Sequence, residues 1–234
     1  MPIEGWDFSF HRGRVEDQPL PWIYQDVAGN LVAQASRVLD VDTGGGEIFG
    51  SLRPPAGSVA VEPYRPNVAV ASGRLEPHGI RVIERETPRL PVDDGAFDLV
   101  LNRHGYLNPA EMHRALEAGG RLLTQQVCAI NDVEFNQALG IPPDVDPTIP
   151  STLGQLVDDL QHVGLVVDDA REAAITTRYL DIGAVIYQLR IVSWHAPGFD
   201  PDRHRSELRQ MHDQIVDTGG FEVRSRRFLV QASK

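Results

Sequence analysis

Three consecutive glycines follow directly on a short apolar stretch, in the sequence RVLDVDTGGG at positions 37–46. Glycine has no Cβ, so such a run lets the backbone turn sharply and lets a ligand approach the main chain closely. The next apolar stretch, SVAVEP at 58–63, contains Glu62, roughly 20 residues beyond Asp40. A carboxylate at this spacing, at the end of a second strand, is typical of sites that bind ribose hydroxyl groups. The pattern therefore predicts a strand, a ligand-binding loop, a helix and a second strand.

The chain continues with short, β-branched apolar stretches that alternate with helix-like segments. Three of these stretches are IRVIERE (80–86), FDLVLNRH (97–104) and RLLTQQV (121–127). Nearly continuous apolar strands are typical of a parallel sheet that is buried on both faces. Repeated strand–helix units predict a three-layer α/β fold, in which helices cover both faces of a mostly parallel sheet.

The clearest helix start lies at residues 108–111, with the sequence Asn-Pro-Ala-Glu. Asn108 is suited to cap the helix, Pro109 to its first position and Glu111 to a capping box, and Gly119 is predicted to end the helix. Further helices are predicted at 132–139, 153–163, 182–189 and from 200 to 218, with a strand within 165–180 and a final strand at 221–231.

The composition of the chain disfavours several classes of function. The chain has 234 residues and a formal net charge of −11, which disfavours a nucleic acid partner because phosphate binding depends on Lys and Arg. A lone cysteine, Cys128, forms neither a disulfide framework nor a zinc motif, so no metal site is expected. No secretory signal or membrane-spanning stretch is evident, and a cytoplasmic protein without membrane attachment is expected. The length is compatible with one domain over 1–234.

The glycine loop resembles the first motif of the class I S-adenosylmethionine (SAM)-dependent methyltransferases, acidic-x-G-x-G-x-G. The corresponding residues are Asp40-Val41-Asp42-Thr43-Gly44-Gly45-Gly46. Asp42 stands where the family usually has its first glycine. The segments 86–100 and 116–122 are similar to two later motifs of the same family, so the resemblance covers about residues 36–128. It implies a Rossmann-like sheet of seven strands with an antiparallel last strand.

The resemblance also implies site residues. Glu62 would bind the ribose of SAM, while Glu86 and the backbone of Thr87 would face the adenine. Residues 36–128 would form the SAM-binding half, and elements from 1–35 and 129–220 would form the acceptor side or a lid. The expected cofactor-binding set is Asp40, Asp42, Gly44, Gly45, Gly46, Glu62, Glu86, Thr87 and Asn102.

The residues themselves also favour SAM over a nicotinamide dinucleotide. The dinucleotide pattern needs a third glycine where this chain has Phe49, and an acidic Asp40 would repel a pyrophosphate. SAM carries no phosphate, and its amino end is cationic. A nicotinamide-dependent reductase is therefore a weaker alternative.

Polar residues at the end of the stretch 97–104 are candidates for the chemistry, because active sites in open α/β sheets lie beyond the carboxyl ends of the strands. His104 is expected to act as a base or to orient the acceptor. Arg103 is expected either to clamp an acidic acceptor or to pair with a protein carboxylate. One of Gln125 and Gln126 should point into the same cleft, since strand side chains alternate. A related group of bacterial methyltransferases often has an acidic residue after the histidine, where this chain has Gly105.

The aromatic residues of the N-terminal stretch, Trp6, Phe8, Trp22 and Tyr24, are expected either to cover the cofactor or to pack an N-terminal helix.

The expected function is transfer of a methyl group from SAM to O or N of a small molecule, leaving S-adenosylhomocysteine. Two alternatives stay open beside it: an RNA methyltransferase and a SAM-binding protein without catalysis. Oligomeric state, acceptor and pathway are not specified by the sequence.

Overall fold

A computed structural model of the chain describes residues 8–234, and its main feature is an eight-stranded sheet with the order β1-β7-β8-β6-β5-β2-β3-β4. The strands are β1 Val15–Asp17, β2 Val38–Val41, β3 Val59–Glu62, β4 Arg81–Glu84, β5 Phe97–Arg103, β6 Leu116–Val127, β7 Val166–Tyr179 and β8 Phe221–Ser233. The helices are α1 Tyr24–Val32, α2 Glu47–Ser51, α3 Arg65–Leu75, α4 Pro109–Ala115, α5 Val133–Leu139, α6 Leu153–His162, α7 Ile182–Ile191 and α8 Arg205–Thr218. The fold is thus α/β, as predicted.

Five parallel strands form the part of the sheet that matters most for the site. Strand β2 pairs in parallel with both β3 and β5, so that Val41 lies beside Val61 on one side and Asn102 on the other. Strands β4 and β6 extend this arrangement, again in parallel. The residues of β2 and β3 are fully buried, as expected for strands covered on both faces.

The expected number of seven strands is wrong, because the sheet has eight. The additional strand is β1, which pairs antiparallel with β7 from Val15 opposite Tyr179 to Asp17 opposite Thr177. It has three residues, Val-Glu-Asp, with none of the apolar pattern that identifies a strand. The antiparallel last strand is confirmed, since β8 runs antiparallel to β6.

The predicted start of α4 is confirmed, but its predicted end is wrong. The Asn108 side chain accepts a hydrogen bond from the Glu111 backbone N–H at 3.3 Å, and Pro109 is the first helical residue. The Glu111 carboxylate, however, accepts from the Leu90 N–H and from Arg114. The helix ends at Ala115, where β6 begins to pair with β5, and Gly119 lies within that strand.

The chain divides into two compact units, and strands β7 and β8 have residues in both. The larger unit consists of residues 21–127, 148–172 and 227–234; the smaller consists of residues 128–147, 173–226 and the chain up to Leu20. The smaller unit has its own apolar core, formed by side chains that include Phe135, Leu189, Met211 and Phe221. The expectation of a single domain stays a prediction. No helix within residues 8–234 is long and apolar enough to cross a membrane.

Two glycines of the loop before α2 have different structural roles. Gly44 and Gly46 both have positive φ values, +63° and +76°. A Cβ on Gly46 would lie 2.9 Å from Cδ1 of Leu75 in α3, whereas a Cβ on Gly44 would meet no atom within 4 Å. Gly46 is thus required for packing of the loop on α3, and Gly44 faces open space.

This difference predicts unequal losses of stability. Gly44→Ala should lower the free energy of unfolding by about 1–2 kcal/mol, the cost of a left-handed backbone for alanine. Gly46→Ala should lose about 1–3 kcal/mol more, because it adds the collision with Leu75. Urea unfolding of both variants measures the difference. Equal losses would contradict the packing role of Gly46.

Candidate active site

The larger unit brings the predicted polar residues to one edge of its parallel strands. Because β2 lies between β3 and β5, the residues that end or follow these strands share the carboxyl edge. Two of them, Asp42 and His104, have positive φ values of 60° and 58°. Non-glycine residues in this conformation carry backbone strain and are concentrated at functional sites.

Glu62 is held in a fixed orientation by the backbone. Its Oε2 accepts a hydrogen bond from the Gly44 N–H at 2.7 Å, and its Oε1 accepts one from the Tyr64 N–H at 2.8 Å. Only 4% of the residue is exposed, and burial raises the pKa of its carboxyl while the two backbone donors oppose this rise. The Asn67 side chain is a third hydrogen-bond donor to this carboxylate, which has about four acceptor sites, so one site remains. The arrangement therefore leaves Glu62 able to accept a hydrogen bond from a diol beside the open face of Gly44.

Asp42, which replaces the first glycine of the family motif, forms an ion pair that sequence reasoning did not anticipate. Its Oδ1 lies 2.8 Å from Nη2 of Arg85, and its Oδ2 accepts from the Tyr106 N–H at 2.7 Å. The two charged side chains are only 11% and 9% exposed. Arg85 follows β4, so the pair joins the ends of β2 and β4 past the intervening strand β3, which carries Glu62.

Gly105 is explained by the same carboxylate. A Cβ at position 105 would collide with the Asp42 side chain. A carboxylate therefore lies beside Gly105 although the residue itself has no side chain. The acid at 42 and the glycine at 105, which both depart from the patterns that the sequence resembles, occupy the same small volume.

Asp40 is the most perturbed acid of the site. Burial, together with the nearby carboxylates of Asp42 and Glu62, raises the pKa of its carboxyl to about 7 against the opposing charge of Arg103. Three acids at one strand edge favour a cationic ligand group.

Asn102 is fully buried, and its side chain is used within the sheet. Its Nδ2 donates to the Val41 carbonyl at 3.2 Å, while its Oδ1 accepts from Thr124 and Gln126. The side chain therefore ties β2, β5 and β6 together. A cofactor contact by Asn102 stays a prediction and would involve its backbone.

The remaining predicted cofactor residues are less constrained. Glu86 and Thr87 are exposed beyond the end of β4, and the Thr87 hydroxyl donates to the Arg89 carbonyl at 3.3 Å. The Gly45 carbonyl accepts from Arg74. Their predicted contacts with adenine and with the methionine end stay predictions.

Arg103 has no carboxylate within ion-pair distance in the described part of the chain. Its guanidinium instead lies over the Tyr24 ring, with Cζ 5.7 Å from the ring centre. Its Nε is buried without a hydrogen-bond partner. The expectation that Arg103 pairs with a protein carboxylate is therefore wrong for residues 8–234.

His104 belongs to a chain of three side chains. Nε1 of Trp22 donates to Oε1 of Gln125 at 2.8 Å, and Nε2 of Gln125 lies 2.8 Å from Nε2 of His104. Gln126, on the opposite face of β6, bonds to Asn102. Gln125 and Gln126 thus lie on opposite faces of β6, and Gln125 is the one that contacts His104. That it faces a ligand cleft stays a prediction.

The N-terminal aromatic residues differ in how deeply they are buried. Trp22 and Tyr24 are 7% and 5% exposed and pack at the start of α1, while Phe8 is 42% exposed. Trp6 lies outside the described residues.

Asp40→Asn should change how stability depends on pH. In the unfolded chain the carboxyl ionises near 3.8, but in the folded protein only near 7, so the wild type loses stability relative to the variant as the pH rises between these values. The loss is at most about 4 kcal/mol. Urea unfolding along this pH range measures it.

Asp26→Asn, on the exposed face of α1, is the control for the loss of one negative charge. A constant difference between Asp40→Asn and the wild type at all pH values would show that Asp40 does not titrate abnormally.

Part of the sequence is similar to that of a known methyltransferase. No family model matches the chain. Demethylmenaquinone methyltransferase from Thermus thermophilus is 34% identical over 116 residues. The match covers 44% of this chain and 53% of the relative, so the chain spans about half the length of the curated protein that it matches.

Solved structures are similar to this chain over a longer part of its length. A protein from Bacillus halodurans that is assigned as a methyltransferase has a TM-score of 0.65 at 18% identity, covering 90% of this chain and 98% of that one. Geranyl diphosphate C-methyltransferase from Streptomyces coelicolor has a TM-score of 0.52 at 12% identity, covering 89% and 77%. The comparisons confirm the resemblance to the class I SAM-dependent methyltransferases, and the low identities to the solved structures carry the fold alone. The subfamily is not identified.

Proposed function

We propose that this chain, which has the class I methyltransferase fold, is an enzyme that transfers a methyl group from SAM to a small molecule. The observation that carries the proposal is the geometry of Glu62 and Gly44. Glu62 is fixed by two backbone N–H groups, and its bonded neighbour Gly44 faces open space. A ribose diol and a close backbone approach need these two features.

The other acids of the edge fit a cationic cofactor. SAM supplies an activated methyl group on a positively charged sulfur, so the protein's work is to position the acceptor and exclude water. Asp40 and its neighbours would balance this positive charge. Ionisation of Asp40, suppressed by burial, becomes more favourable beside a cationic ligand.

The acceptor in this proposal is a small molecule. Its methylated atom is O or N, as the sequence suggests, or carbon. The net charge of −11 supports a small molecule rather than RNA. One structural neighbour is a C-methyltransferase, which supports keeping carbon among the acceptor atoms. The lone Cys128 supports a cytoplasmic location.

Transfer of isotope tests the proposal directly. Purified protein is incubated with SAM labelled in its methyl carbon and with a metabolite extract, and the products are examined by mass spectrometry. A labelled metabolite that depends on the protein is expected. Binding of S-adenosylhomocysteine without any labelled product would instead favour the non-catalytic SAM-binding alternative.

Glu62→Ala should weaken binding of S-adenosylhomocysteine by about 1–3 kcal/mol, because it removes hydrogen bonds to a charged acceptor. Isothermal titration calorimetry measures the affinity. Glu117→Ala is the matched control, since Glu117 is exposed at the start of β6, at the opposite end of the strands. Unchanged affinity in Glu62→Ala would remove Glu62 from the ligand site.

A further inference from the structure

The indole of Trp22 determines how the Gln125 amide is oriented. An indole nitrogen only donates hydrogen bonds, so the atom of Gln125 that faces it at 2.8 Å must be the amide oxygen. The amide nitrogen is therefore the atom that lies 2.8 Å from Nε2 of His104. Trp22 and Gln125 are both buried, which protects this arrangement from water.

The amide nitrogen in turn determines where the proton of His104 lies. An amide NH₂ group only donates, so Nε2 of His104 accepts and carries no proton. A neutral imidazole then carries its proton on Nδ1. The backbone N–H of His104 also donates to the Gln125 carbonyl at 2.8 Å, so one glutamine fixes both the main chain and the ring.

The surroundings keep this ring neutral. Desolvation, together with the positive charges of Arg103 and Arg227, lowers the pKa of His104 from 6.5 to about 3. The residue is nevertheless exposed to solvent, so a ligand can reach its ring. Nδ1 has no hydrogen-bond partner within residues 8–234, and neither has Nε of Arg103. His104 thus presents an N–H donor beside the positive charge of Arg103, and neither side chain offers an available lone pair.

We propose that His104 is a permanent hydrogen-bond donor through Nδ1 and binds the oxygen of a phenol or enol acceptor in its anionic form. Trp22 and Gln125 are the positioning residues that fix this role. The proposal rests on the proposed methyltransferase function. An oxygen anion accepts the His104 N–H and is attracted by the charge of Arg103. At His104 itself, an ammonium acceptor would meet an N–H donor instead of a lone pair.

Methyl transfer does not require His104 to act as a base. The phenol or enol loses its proton to water before or during binding. A lone pair on its oxygen, or the electron pair on the adjacent carbon of the anion, forms the new bond to the methyl carbon. The bond from that carbon to sulfur breaks, and its electrons stay on sulfur. If carbon is methylated, the proton on that carbon leaves to water afterwards.

The tautomer of His104 is measured by NMR of protein labelled with ¹⁵N in the histidine rings, without cofactor. His104→Gln identifies its signals among the eight histidines. We expect a protonated Nδ1, an unprotonated Nε2 and no titration from about pH 5 to about pH 8. A proton on Nε2, or titration in this range, would overturn the proposal.

Two variants test the positioning residues. Gln125→Glu replaces the donor by a carboxylate, so the proton should move to Nε2 and the pKa of His104 should rise. Trp22→Phe removes the constraint on the amide and should give a mixture of tautomers even if Gln125→Glu does not fold. An unchanged His104 spectrum in Trp22→Phe would show that Trp22 does not set the tautomer.

The acceptor class is tested with 4-nitrophenol, whose anion absorbs visible light, in protein saturated with S-adenosylhomocysteine. The bound phenol should ionise at a lower pH than the free phenol. His104→Ala should weaken its binding about tenfold or more, whereas His78→Ala, at an exposed position, should not. Tighter binding of 4-nitrobenzylamine, or binding of neutral 4-nitrophenol, would overturn the assignment.

The two proposals fail separately. Absence of any S-adenosylhomocysteine binding would refute the proposed function while leaving the measured tautomer intact.

Discussion

The position of β2 between β3 and β5 is the constraint on which the rest of the site depends. Parallel pairing on both sides places Val41 beside Val61 and Asn102, so the three chains leave the sheet together. The buried hydrogen bonds of Asn102 to the Val41 carbonyl and to Gln126 hold these strand ends at a fixed separation. Acids from β2 and β3 and donors from β5 therefore lie at a common edge of the sheet, although they are far apart in the sequence.

The edge is divided electrostatically. Acids and their backbone donors occupy the side of β2 and β3, where Glu62 is oriented by N–H groups. Cationic and donor groups occupy the side of β5, where Arg103 lies over the Tyr24 ring and forms no ion pair within residues 8–234. A positively charged cofactor and a negatively charged acceptor would each meet the complementary half. Opposed charges of this kind favour the approach of the two reactants before any bond changes.

The sequence predicted the features that depend on local patterns. Strands β2 to β6, the Asn108 cap and the antiparallel β8 follow from apolar runs, capping chemistry and family resemblance. The pairs that complete the site join distant residues: Arg85 is 43 positions from Asp42, and Gln125 is 103 from Trp22. No local pattern specifies such partners. The motif mismatch at Asp42 was the one available signal, since a buried acid in a left-handed turn requires a cation.

The contact between Asp42 and Gly105 has an evolutionary consequence. Because a Cβ at 105 would overlap the Cβ of Asp42, the two positions are epistatic: a side chain at 105 is compatible only with glycine at 42. Homologues of this chain should therefore show the two positions changing as a coupled pair, with the intermediate that carries both side chains missing.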